Sequence, residues 1–327
     1  MHRDLEAWLD LAWNKREEIF TGYAKNGRAI LAEDVGKHRG VGRVYAMYNA
    51  PDAGLGVVPA RGDVAEALEE IVRLVTNKQA NCKIQSTQFV TCSVEELKLL
   101  AGGEEVTWEL KDDEGEMELI RVSQATMKWD FIHIRHATQW ESRGIDQRIY
   151  LNLALIGRGR NFRRIVEMVY DLPGFRSAKV VLSDEDPRTD TALIYLAGEA
   201  AALAAIESLR EFQRRHAAAF RPALPRLTAP EAGLIGVGRA MEPPDFALIK
   251  RGDTFYKRTS AMSFGWWRAA LIFMALDRTK WERAGQGDAQ RLRGFKRRAV
   301  KYFVAAGIDP DRPSVQVNPA NLREYPV

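Results

Sequence analysis

Two short segments place side chains suited to anion and proton chemistry at alternate positions. In QRIYLNL, residues 147–153, alternation sends Arg148, Tyr150 and Asn152 to one face of an extended strand, and Ile149, Leu151 and Leu153 to the other. A guanidinium, a phenol and an amide on one face form a set that can hold an anion and move a proton. In SAKVVLS, Lys179 interrupts an apolar stretch. It is either a solvated outer-face residue or, beside Arg148, an amine made more basic-competent at neutral pH by positive neighbours and partial burial. In WDFIHIRHA, Phe131, His133 and Arg135 share one face, opposite Ile132, Ile134 and His136. His133 is a second candidate for proton transfer, or a satisfied structural histidine. Arg188 sits in the turn DPRTD and Tyr195 on the strand that follows. Arg268 lies within FGWWRAALIFMAL, where a guanidinium among apolar side chains must be paired or bind an anion. Lys250 and Arg251 belong to a cationic stretch between turns.

Composition narrows the class. The chain has 327 residues, 46% hydrophobic and 28% charged, which suits a globular protein of one large or two modest domains. Its net charge of +4 is too small to establish nucleic-acid binding. The two cysteines, Cys82 and Cys92, match no zinc or redox spacing, and so few thiols favour a reducing compartment. Five histidines form no HExxH or Cys/His cluster, so no metal site is expected. The N-terminus lacks the apolar region of a signal peptide, and no run is long enough to span a membrane. A cytoplasmic location is the expectation.

The elements that must position these residues follow from periodicity. Residues 3–20 place Leu5, Trp8, Leu9, Ala12, Trp13 and Ile19 at helical spacing. Gly36, Gly40 and Gly42 around RVYAMYN read as a loop and a short strand. Helices are predicted over 63–77, opened by Asp63, and over 93–102, where Ser93 and Glu96 form a capping box. From about residue 105 the period becomes two. VTWELKDD and EMELIRVSQ form a hairpin turned by Asp112, Asp113 and Gly115; WDFIHIRHA, QRIYLNLAL, SAKVVLSD and TALIYLAG are further strands. Helices are predicted over 160–171, 198–219, from Ser263 onward, and over 288–305. The last carries Arg291, Arg293, Lys296, Arg297, Arg298 and Lys301. The fold class is therefore α+β: a mostly antiparallel sheet with flanking helices over 105–327, preceded by a helix-rich region over 1–104. No glycine cluster forms a dinucleotide or P-loop motif.

FIHIRHA, QRIYLNL, SAKVVLSDEDPRTDTALIYLAG, GVGRAMEPP and SFGWWRAALI, in that order over roughly residues 125–280, resemble the HopA-type family. That family includes type III secretion effectors and the lyase components of lanthipeptide and thioamide-peptide biosynthesis. More distantly, the same strands are similar to the phosphothreonine lyases, which remove phosphate by β-elimination without a metal. The N-terminal third has no counterpart. The resemblance implies Lys179 as the base for the Cα proton, and Arg148 in the place of a phosphate-binding lysine. Tyr150 falls where those lyases use a histidine acid; a phenol is a weaker acid, so His133 or Tyr195 are alternatives. Arg188 and Arg268 would complete the phosphate cradle. Asn152, Tyr195, Lys250 and Arg251 are the remaining candidates for substrate contacts, with no cofactor and no metal.

The resemblance therefore implies a phosphoserine/phosphothreonine lyase acting on a phosphorylated peptide to leave dehydroalanine or dehydrobutyrine, with a kinase-like partner protein supplying that substrate. The alternative is a non-catalytic effector or scaffold whose basic face holds an acidic or phosphorylated partner; an effector would be translocated into a host cell. Nucleic-acid binding through the basic C-terminal helix is disfavoured, because such charge runs are usually solvated faces. The elimination chemistry requires Arg148, Lys179, Arg188 and Arg268 to converge on one pocket.

Overall fold

The structure, a computed structural model, describes residues 1–21, 39–49, 64–85, 89–111, 117–127, 131–139, 145–182, 188–242, 248–251, 254–257, 263–279 and 287–316. The chain folds into two compact units, one of Met1–Ala50, Pro225–Ala229 and Ala240–Val327, the other of Pro51–Leu224 and Pro230–Arg239. The expected cap Asp63 and turn residues Asp112, Asp113 and Gly115 lie outside the described residues, as does Gly36.

The first unit contains helices α1 (Arg3–Asn14), α2 (Arg16–Phe20), α3 (Arg39–Asn49), α8 (Phe264–Arg278) and α9 (Asp288–Ala305), with the hairpin β11 (Leu248–Arg251) and β12 (Thr254–Lys257). Helix α1 buries Leu5, Trp8, Leu9, Ala12 and Trp13, as their spacing predicts. Ser263 caps α8 by accepting the Trp266 N–H at 3.3 Å. The segment expected to be a loop and strand around RVYAMYN is instead helix α3. Its Val41, Val44 and Tyr48 form a buried stripe at helical spacing. Glycines argue against a helix by propensity alone. Here Gly40 is a contact surface, since a Cβ there would lie 2.3 Å from Cε2 of Phe273 on α8. The close approach of two helices outweighs the local preference.

The second unit is built on a sheet. It contains helices α4 (Val64–Lys78), α5 (Val94–Ala101), α6 (Arg158–Val169) and α7 (Glu199–Arg215). Its strands are β1 (Asn81–Gln85), β2 (Phe89–Cys92), β3 (Val106–Lys111), β4 (Met117–Val122), β5 (Phe131–Arg135), β6 (Gln147–Leu151), β7 (Phe175–Val181) and β8 (Ala192–Leu196). With β9 (Ala229–Pro230) and β10 (Val237–Met241), eight of the described strands form one antiparallel sheet in the order β2-β1-β5-β7-β8-β6-β10-β9. The predicted hairpin β3–β4 forms a separate two-stranded sheet. The capping box of α5 is present: the Glu96 N–H donates to Ser93 Oγ, and the Ser93 N–H to Glu96 at 2.7 Å.

Alternation divides the large sheet sharply. Ile84, Ile132, Ile134, Ala178, Val180, Ile194, Ile149 and Leu151 join a core with Leu68 and Ile71 of α4, Phe162 and Val166 of α6, and Ile206 and Leu209 of α7. Arg163 ties α6 to α4, its Nε donating to buried Glu70 and its NH1 to Glu167 at 2.7 Å. Gly159 lets the two helices touch, because a Cβ would lie 2.5 Å from the Ala67 Cα. Gly159→Val is therefore expected to cost about 1–3 kcal/mol by overpacking. A urea unfolding curve checks it, and an unchanged midpoint would contradict this contact.

Candidate functional site

The opposite face of the sheet is where the charges collect. Strand pairing sets Lys83, His133, Lys179, Leu193 and Tyr150 side by side across β1, β5, β7, β8 and β6. A second row, two residues along each strand, holds Asn81, Arg135, Ser177, Tyr195 and Arg148. Neighbouring strands are separated by roughly 4.8 Å, so Lys179 stands between His133 on one side and, two strands away, Tyr150 on the other. The expected faces of β5 and β6 are both observed.

Aromatic rings sit among the cations. The Phe131 ring is met by Lys179 Nζ at 3.9 Å from its centroid and by Arg188 Cζ at 4.4 Å. The Arg148 guanidinium lies 4.9 Å from the Tyr195 ring. A ring face is attractive to a cation and costs no counter-charge, which helps the protein hold positive groups together. Arg188 is further secured by Asp190, its Nε donating to Oδ1 at 2.7 Å and its NH2 to Oδ2 at 3.3 Å. Lys179 is half-buried, whereas Arg148, Tyr150, His133 and Tyr195 are buried.

The electrostatics of the face register on His133. Burial, and then the charges of Lys179, Arg135 and Lys83, hold its pKa well below the ordinary histidine value. Its ring is neutral at neutral pH, so it carries no imidazolium proton to donate. This weakens His133 as the acid of an elimination. Burial lowers the pKa of Arg135; burial and then Arg135 lower that of Lys83.

No protein-family model matches the chain, and no curated protein matches its sequence. Among solved structures, the effector protein from Pseudomonas syringae pv. tomato strain DC3000 aligns with a TM-score of 0.54 and 16% identity, over 97% of this chain and 100% of that one. The effector protein from Pseudomonas syringae pv. syringae strain 61 aligns with a TM-score of 0.57 and 16% identity, over 97% and 99%. The chain has the fold of these effector proteins. At this identity the likeness extends to the fold and no further.

The remaining expected site residues have other surroundings. Asn152 is committed to the connector after α7: its Nδ2 donates to the Ala223 carbonyl at 2.7 Å, and its Oδ1 accepts from Arg221 Nε at 3.1 Å. Arg268 belongs to the first unit and is fully buried there. Its Nε and NH2 donate to the Pro313 carbonyl at 3.0 and 2.8 Å, its NH1 to the Phe264 carbonyl, and it lies 3.4 Å from the Phe264 ring centroid. Carbonyl dipoles and a ring thus account for its burial without a bound anion. Lys250 and Arg251 fall on β11, with side chains outside the described residues. On the basic helix α9, Lys296 pairs with Glu6 and Asp10 and Arg291 with Asp288, so part of that charge is spent within the unit. No helix among the described residues is long and apolar enough to cross a membrane.

Sequence reasoning did not single out Lys83. The signal was present, since Asn81, Lys83 and Gln85 alternate with Cys82 and Ile84, but the strand is five residues long in a region dominated by helical patterns.

The depressed pKa of His133 has a direct consequence for stability. The unfolded chain protonates this ring near pH 6.5, whereas the folded chain does so only at lower pH. Stability from the neutral ring is thus complete above that value and declines as pH falls through the window below it, by at most about 1.4 kcal/mol per pH unit for one proton. Urea midpoints measured from pH 7.5 to 5 are expected to fall more steeply in the native protein than in His133→Gln. Equal slopes would show that the ring is not held neutral.

Proposed function

We propose that the cationic sheet face binds a phosphorylated segment of a partner protein, in the manner of an effector or scaffold. The observation that carries this reading is the placement of Lys83, Arg135 and Lys179 around one buried, neutral imidazole, with Arg148 in the adjoining row. Cations gathered at a partly desolvated surface repel one another, and a dianionic phosphate relieves that cost with charge-assisted hydrogen bonds. Lys179 and Arg148 are the primary phosphate contacts, with Arg188 held nearby by Asp190. Tyr150 and Tyr195 supply hydroxyls and ring faces. The fold shared with two effector proteins supports a partner-directed role, as does the HopA-type resemblance. A kinase-like protein would supply the phosphorylated partner.

A second reading is catalytic, favoured by the direct cross-strand pairing of Lys179 with His133. Lys179 in its neutral amine form would take the Cα proton of phosphothreonine or phosphoserine. The electron pair of the Cα–H bond becomes the Cα=Cβ bond as the Cβ–O bond breaks, and phosphate leaves with the bonding pair. Arg148 and Arg188 would stabilise the departing anion, and Tyr150 is the better-suited donor because His133 is neutral.

One experiment separates the readings. Fluorescent phosphothreonine peptides are expected to bind the protein with affinity that falls as salt rises, and Lys179→Ala to weaken binding by on the order of tenfold or more. If the native protein also strips the mass of one phosphoric acid from the peptide and Lys179→Ala does not, the catalytic reading holds. Equal affinity for phosphorylated and unphosphorylated peptides would end both.

A further inference from the structure

Lys83 stands on the outer side of the site. It lies on β1 directly opposite His133, which in turn lies opposite Lys179 on β7. Its chain neighbours Cys82 and Ile84 are buried in the core, so its side chain is on the cationic face. Arg135 sits one row along, and its charge contributes to lowering the Lys83 pKa. Among the described residues no carboxylate pairs with Lys83. A lysine placed in a positive field without an acidic partner is a charge with spare capacity for a ligand.

We propose that Lys83, with Arg135 beside it, forms a second anion subsite that selects phosphorylated peptides bearing an aspartate or glutamate two or three residues from the phosphorylated one. This deepens the phosphopeptide-binding reading and rests on it. The spacing is the argument. Lys83 and Lys179 are separated by two strand spacings, roughly 9.6 Å between backbones. An extended peptide advances about 3.3 Å per residue, so a chain laid across the strands covers that distance in two to three residues. The lysine stems, each with four methylenes, take up the remainder. Lys179 then meets the phosphate, Lys83 meets the flanking carboxylate, and the peptide between them passes over His133. Because Lys83 is partly exposed rather than buried, it contributes to selectivity more than to total affinity.

The test uses matched phosphothreonine peptides carrying glutamate, alanine or lysine two and three positions to either side. The native protein is expected to favour a glutamate peptide over its alanine counterpart on the order of fivefold. Lys83→Gln should bring the two within about twofold while still binding phosphothreonine. Lys83→Glu should shift the preference to the lysine peptide, a gain that a misfolded variant cannot produce. If the native protein shows no glutamate preference, or Lys83→Gln keeps it, the subsite is overturned while phosphopeptide binding stands. If phosphopeptides do not bind at all, the underlying reading falls first and this one with it. Lys179→Ala should weaken all three peptides alike, because it removes the phosphate contact and not the flanking one.

Discussion

Everything on the cationic face depends on what happens behind it. The residues between the charged ones, Ile132, Ile134, Ala178, Val180, Ile194 and Ile149, are sealed under helices α6 and α7. Since side chains alternate strictly along a strand, a slip of one residue would drive Lys179, His133 or Arg148 into hydrocarbon and bring isoleucines out. Burying an unpaired cation costs far more than a single exposed isoleucine. The hydrophobic effect therefore selects one register, and that register lines up Lys83, His133 and Lys179. Charge placement here is a by-product of core formation.

Cations wholly or partly withdrawn from solvent are held in three ways. Arg268 gives its donors to backbone carbonyls. Arg188 takes a carboxylate, Asp190, and a ring, Phe131. Arg148 and Lys179 are placed against ring faces. These solutions differ in what they leave for chemistry. A guanidinium locked to carbonyls on several donors has little left for a ligand, whereas a ring face engages a cation without occupying its N–H groups. That difference separates Arg268 from Lys179, although both interrupt apolar sequence.

Much of this was legible beforehand. Strands β5 to β8, and the faces of β5 and β6, follow from alternation, and helices α4 to α9 from caps, propensity and apolar spacing, within a residue or two at most ends. Three features were not legible, each for a physical reason. Helix α3 carries Gly40, whose role is close contact with Phe273, more than two hundred residues away in the chain. Strands β1 and β2 are short and lie between helices, so their alternation spans too few residues to stand out. Arg268 donates to a main-chain oxygen at Pro313, and no sequence pattern marks which carbonyl a distant guanidinium will meet.

One side chain on the hidden side of the sheet bears on how mutations near the cationic face should be interpreted. Arg158, at the start of α6, is buried and donates to the Leu153 carbonyl at 2.9 Å and the Val181 carbonyl at 3.2 Å. Those two oxygens stand just past the end of β6 and at the last residue of β7, the strands that present Arg148 and Lys179. A single planar fork thus acts as a cross-tie behind the two, and a lysine, with one point of attachment, could not brace both ends in the same way. Damage at residue 158 would disturb the cationic face from behind, and a mutational scan alone would mistake this brace for part of the proposed recognition surface.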